Sequence, residues 1–181
     1  GGAPARADGA NKTARHSRSI GAPNRGRLSD GVRVVAKKYL RILPAYAEGQ
    51  AQWGTRELAD AIDYAAREVR KRYPDAVLGV GHLSRRGGGE IDRHHSHESG
   101  RDVDPAFYLS DVHGRPVYRD GLVPVGLDGK VVRDPAVLFD DGRNWTLLRA
   151  LLENSHARVT HVFIATHLRA RLLAHGAKIG A

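Results

Sequence analysis

The sequence predicts an α+β domain, a small and mainly antiparallel sheet flanked by helices. Three observations carry that prediction. Apolar residues recur at three- and four-residue steps over 55–73, the period of an amphipathic helix. Short apolar runs that suit strands stand at 32–43, 76–80 and 159–165. Glycine and proline then punctuate 110–144 so closely that only short hairpins or a long excursion fit there.

A length of 181 residues suits one domain. Hydrophobic residues at 41% are enough to build a core, which argues against wholesale disorder. No apolar run approaches the roughly 20 residues that cross a bilayer as a helix. Cysteine is absent, so disulfides, thiolate zinc sites and cysteine nucleophiles are excluded together. Methionine is absent too, which fits a leader or pro-segment removed, or a trimmed chain. The formal charge of +9 comes from 29 Lys and Arg against 20 Asp and Glu. It suits an anionic partner such as an acidic wall polymer, a membrane surface or nucleic acid, or it serves solubility alone.

Along the chain, residues 1–18 are small, polar and basic with no apolar period, so they read as a flexible arm. Residues 19–181 form the domain, with order beginning near Ile20. Gly21, Pro23, Gly26 and Gly31 mark 21–31 as an irregular loop. The weak alternation over 32–43 predicts a strand, and Pro44 and Gly49 interrupt the chain after it. Thr55 is a suitable N-cap for the helix 55–73, whose apolar face is Leu58, Ile62, Ala65, Ala66, Val69 and Tyr73. Pro74 ends that helix, because proline disfavours helix at the residue before it. A short buried strand comes next at 76–80, then a polar loop over 81–96 with three glycines in a row. A strand is expected over 100–109 and a second helix around Trp145, Leu148, Leu151 and Leu152. The last elements are a strand over 159–165 and a short helix over 168–174 stopped by Gly176.

Five of the ten histidines lie between His82 and His113. The dense part reads His94-His95-Ser96-His97-Glu98-Ser99-Gly100-Arg101-Asp102-Val103-Asp104. Imidazole nitrogen and carboxylate oxygen together suit zinc. His97 at the end of the loop and Asp104 on the expected strand could share one ion, with Gly100 allowing a tight turn between them. Asp102 and Asp104 are two apart and would share a strand face, so Asp102 could orient a ligand histidine. The competing reading is a solvated loop with surface histidines. His161 and Phe163 alternate on one expected strand face, where His161 suits a core or rim position.

Ser84-Arg85-Arg86-Gly87-Gly88-Gly89, followed by Ser96-His97-Glu98-Ser99-Gly100-Arg101-Asp102-Val103-Asp104, resembles the penicillin-insensitive murein endopeptidases. These belong to a wider group of zinc peptidases with lysostaphin-type enzymes and D-Ala-D-Ala carboxypeptidases. Ser19-Ile20-Gly21, Gly26-Arg27-Leu28 and Trp53-Gly54-Thr55-Arg56-Glu57-Leu58 extend the resemblance over 19–176. It implies that His97 and Asp104 bind zinc, that His94 lines the site, and that Ser84 and the glycines form a loop at a metal cleft on the loop-rich face. It also implies a periplasmic or secreted hydrolase, a metalloprotease that cuts peptide cross-links of cell-wall peptidoglycan.

Two departures accompany it. The family completes its site with a late His-x-His, whose last histidine is the third ligand and whose first helps in catalysis. None follows Asp104 here, so no catalytic residue is identified, and the chain reads as lacking its C-terminal end. His82 stands where the family pattern has an aspartate. The alternatives are therefore a truncated or inactive relative that binds cell-wall peptides and, in another class, a basic nucleic-acid-binding module. The absence of an aromatic-interleaved basic strand or helix-turn-helix pattern argues against the last.

Overall fold

The computed structural model describes residues 16–92 and 94–180. Residues 1–15 of the arm expected at 1–18 lie outside the described residues. Arg18 already belongs to the first strand, so order begins slightly before Ile20. Strands β1 (Arg18–Ala22) and β2 (Arg25–Ser29) pair antiparallel with Ala22 opposite Arg25. Pro23 and Asn24 make the two-residue turn, so the stretch expected to be an irregular loop is a hairpin. Proline and asparagine here bend one ribbon rather than break order.

The expected strand over 32–43 divides. Its first part is β3 (Val32–Arg33) and its second is β4 (Leu40–Ile42), separated by a tight reversal in which Lys37 and Leu40 exchange backbone hydrogen bonds. Pro44 opens a four-residue helix, α1 (Pro44–Ala47), at the first helical position where its missing N–H costs nothing. Strand β5 (Trp53–Gly54) pairs with β3 and leads into α2 (Arg56–Arg72). As the sequence predicts, Thr55 caps α2, its hydroxyl accepting the Leu58 N–H at 3.2 Å, and Ile62, Ala65, Ala66 and Val69 are buried, with Ala61 buried as well.

Strand β6 (Leu78–Val80) is buried throughout and runs parallel to β4, with Leu40 opposite Leu78 and Ile42 opposite Val80. A parallel pair needs a long crossover, and α2 supplies it. The expected strand over 100–109 forms only in part. Val80 faces Pro105, and Ala106 donates to the Gly79 carbonyl at 2.8 Å. Pro105 has no N–H to continue the ladder. The regular strand starts at β7 (Leu109–Ser110), which hairpins to β8 (Pro116–Val117).

Strands β9 (Lys130–Val131) and β10 (Asp134–Phe139) complete an antiparallel sheet in the order β8-β7-β10-β9. The glycine-rich stretch therefore makes hairpins. Helix α3 (Asp141–Glu153) starts earlier than Trp145, because Asp140 caps it by accepting the Arg143 N–H at 2.8 Å. Asn144 anchors α3 to the chain entering β7: its side chain accepts the Tyr108 N–H at 2.9 Å and donates to the Tyr108 carbonyl at 2.8 Å.

Two late expectations are corrected. Residues 159–165 join no strand among those described, although their side chains favour one. Phe163 is 92% exposed, and His161 is exposed and stacked on it at 6.0 Å rather than seated in a core or rim. Helix α4 (Thr166–Lys178) runs through Gly176 instead of stopping there. A Cβ at Gly176 would meet Trp145 at 2.4 Å, so this glycine is a contact between α3 and α4.

The architecture is α+β, built from several small sheets rather than one. One apolar core joins Leu40, Ile62, Val69, Leu78, Val80, Leu83 and Leu147. A second joins Leu109, Val137, Phe139, Leu168 and Leu172. Among the described residues, no helix is long and apolar enough to cross a membrane.

Candidate metal centre

The site lies where the buried end of β6 meets the chain returning at Asp104. Gly81 donates its N–H to the Asp104 carbonyl at 2.8 Å, and the Asp104 N–H donates to the His82 carbonyl at 2.9 Å. These two bonds fix His82 and Asp104 side by side. The intervening loop is held from beneath by Ser84, which is 0% exposed and accepts the Gly100 N–H at 2.8 Å. The Thr55 N–H reaches the Gly100 carbonyl at 2.9 Å, which ties the loop to the start of α2. Gly88, with φ +71, lies so close that a Cβ would stand 2.1 Å from the Glu98 carbonyl oxygen. Only glycine permits that approach.

His97 has φ 73, a left-handed conformation that costs a non-glycine residue energy and clusters at functional sites. Its ring is buried. Nδ1 stands 2.9 Å from the Leu83 carbonyl. A carbonyl can only accept, so Nδ1 carries the proton and a neutral ring presents a lone pair at Nε2. That Nε2 lies 3.3 Å from Asp104 Oδ1. Two acceptors this close need a cation between or beside them, either a proton on Nε2 or a metal ion. Donors about 2.1 Å from a tetrahedral ion stand about 3.4 Å apart, so the spacing fits a shared ion. Burial pulls the His97 imidazole toward its neutral form, yet the hydrogen bond and charge of Asp104, then Asp102, hold its pKa above the usual value.

Asp102 contacts the His97 backbone, its Oδ2 accepting the His97 N–H at 3.3 Å. It therefore steadies the left-handed residue through the main chain, and the ring takes its orientation from Leu83. Ser84 does not line a cleft; it is a pin under the loop.

His94 and His82 also stand close to Asp104. His82 Nδ1 and His94 Nε2 are 2.8 Å apart, and the His94 ring is 5.0 Å from that of His97. Ligating atoms of His82, His94 and Asp104 all fall within 4.8 Å of one another, so these three could bind a metal ion. Burial lowers the pKa of His82, and the neighbouring His94 lowers it further. The edge of the Tyr46 ring packs on the His82 ring at 4.7 Å. The sequence marked His82 only as an unusual residue in its motif. Its closeness to the cluster arises from the pairing of chain beside β6, which no local spacing displays.

A cleft of about 1300 Å³ opens onto His97, Asp102 and Asp104, while His82 and His94 are not among its lining residues. Phe107, Tyr118 and Phe163 contribute apolar wall, and Arg101 and Arg158 contribute positive charge. No protein-family model matches the chain, and no curated protein is a significant match to it.

Proposed function

We propose that the chain is a zinc-dependent endopeptidase that cleaves peptide cross-links of peptidoglycan outside the cytoplasm, in the periplasm or after secretion. The observation that carries this reading is the 3.3 Å approach of His97 Nε2 to Asp104 Oδ1 at the mouth of the cleft. The donor set fits zinc, which takes imidazole nitrogen and carboxylate oxygen and needs no thiolate.

When bound, the ion polarises a scissile carbonyl and makes water acidic enough to attack it near neutral pH. The residues of the chain do the rest of the positioning. Leu83 fixes the His97 tautomer so that Nε2 is the ligating atom. The backbone bonds between Gly81, His82 and Asp104 hold the carboxylate in place before any substrate arrives. Arg101 and Arg158 give the cleft positive charge suited to the free carboxylates of cell-wall peptides.

The test is digestion of purified, cross-linked peptidoglycan by the 181-residue chain with added zinc, followed by mass analysis of the soluble peptides. The expected result is release of fragments with newly freed cross-link termini, abolished by a chelator and by Asp104→Ala. Zinc-loaded protein that leaves every cross-link intact would overturn the endopeptidase reading. If such protein still sediments with peptidoglycan, it is a binding relative without hydrolysis.

A further inference from the structure

Resting on the metal-dependent reading above, we propose that His82 is a direct ligand of the ion, beside His94 and Asp104. The three ligating atoms already lie within 4.8 Å of one another. They come from three separate pieces of chain: His82 from the end of β6, His94 from the loop, and Asp104 from the returning segment. His97 and Asp104 by themselves fall short of the three protein donors that a catalytic zinc site uses, and His82 supplies a further one.

His82 is held both through its backbone and at its ring. It follows Val80, the last residue of β6, and the buried Gly81, and its carbonyl accepts the Asp104 N–H at 2.9 Å. Tyr46 packs edge-on against its ring and limits its rotation. The 2.8 Å contact between His82 Nδ1 and His94 Nε2 brings a nitrogen of each ring together close to the Asp104 carboxylate. Without an ion, one shared proton satisfies that contact. With one, the two nitrogens need to part by only about 0.6 Å to become two corners of a tetrahedron. His97 meets the same carboxylate from the cleft side, so Asp104 is common to both pairs. The ion would be backed by His82 and His94 and approached past His97 and Asp104.

The experiment is zinc affinity by competition with a chromogenic chelator, on the parent chain, His82→Ala and His97→Ala, with cobalt spectra of His82→Cys. Losing an outer partner of a metal ligand costs roughly 10–100-fold in affinity, so a lost ligand should cost His82→Ala more than about 100-fold. The chain has no cysteine, so any thiolate-to-cobalt charge-transfer band in His82→Cys reports position 82 alone. That variant restores a donor and so separates a lost ligand from a lost fold. The expected results are the large loss in His82→Ala and the charge-transfer band in cobalt-loaded His82→Cys. A smaller loss, or bound cobalt without the band, would overturn the proposal. Zinc retained by His82→Ala but lost by His97→Ala sinks this inference alone, whereas a parent chain that takes no zinc sinks the metal reading with it.

Discussion

The Ser84 hydroxyl accepts the Gly100 N–H at 2.8 Å, and both residues are buried. One short side chain therefore joins the loop after His82 to the turn between His97 and Asp104.

Replacing Ser84 with alanine leaves the Gly100 N–H buried without its acceptor. An orphaned buried donor costs about 1–3 kcal/mol, and urea unfolding of Ser84→Ala should show a loss of that size. Because the same bond sets the spacing of the two loops, zinc affinity should fall in parallel. Unchanged stability would mean that the loop is held by its other backbone bonds alone.

Away from the site, Asp63 accepts from Tyr39 at 2.9 Å and pairs with Lys37 and Arg67. Burial raises its carboxyl, but hydrogen bonds from Lys37 and Tyr39 and the charges of Lys37 and Arg67 outweigh that and bring the pKa below the usual value. A carboxyl with a depressed folded-state pKa adds stability above its unfolded pKa, and that stability is lost as pH falls through the folded one. The parent chain should therefore lose stability below about pH 4 more steeply than Asp63→Asn. Parallel acid limbs in denaturant titrations of the two proteins would contradict this.

The start of the ordered domain can be located by truncation. Ser17 Oγ accepts the Arg56 N–H at 2.7 Å, one of the free donors at the start of α2. A chain beginning at Ser19 should be about 1 kcal/mol less stable than one beginning at His16, the usual scale of a lost helix-capping acceptor. Equal melting temperatures would place the boundary where the sequence alone suggested, near Ile20.

The parts of this fold that were readable in the sequence are those settled within one element. Helix α2 announces itself because Thr55, the apolar face from Leu58 to Val69 and Pro74 all act locally. The hairpin of β1 and β2 was hidden because its turn residues also mark irregular loops. The expected strand at 159–165 did not form because β-branched side chains favour an extended chain but cannot provide a neighbour to pair with. The candidate site divides in the same way. His97 and Asp104 share a single motif, and their spacing alone points to a common ion. His82 stood outside that spacing, since it reaches Asp104 only through backbone bonds between segments about twenty residues apart.

The unpaired stretch from Val159 to Ile164 also has a bearing on how the protein behaves in bulk. A length of chain outside the described strands, with exposed Val162 and Phe163, is a place where another strand can be laid. What opposes such contact between molecules is mutual repulsion, and the formal charge of +9 supplies it. Repulsion of that kind is long-ranged at low ionic strength and shrinks to a Debye length of about 10 Å at 0.1 M salt. Concentrated solutions should thus stay clear in dilute buffer and scatter light progressively as salt is added, the reverse of a protein whose association is driven by charge pairing.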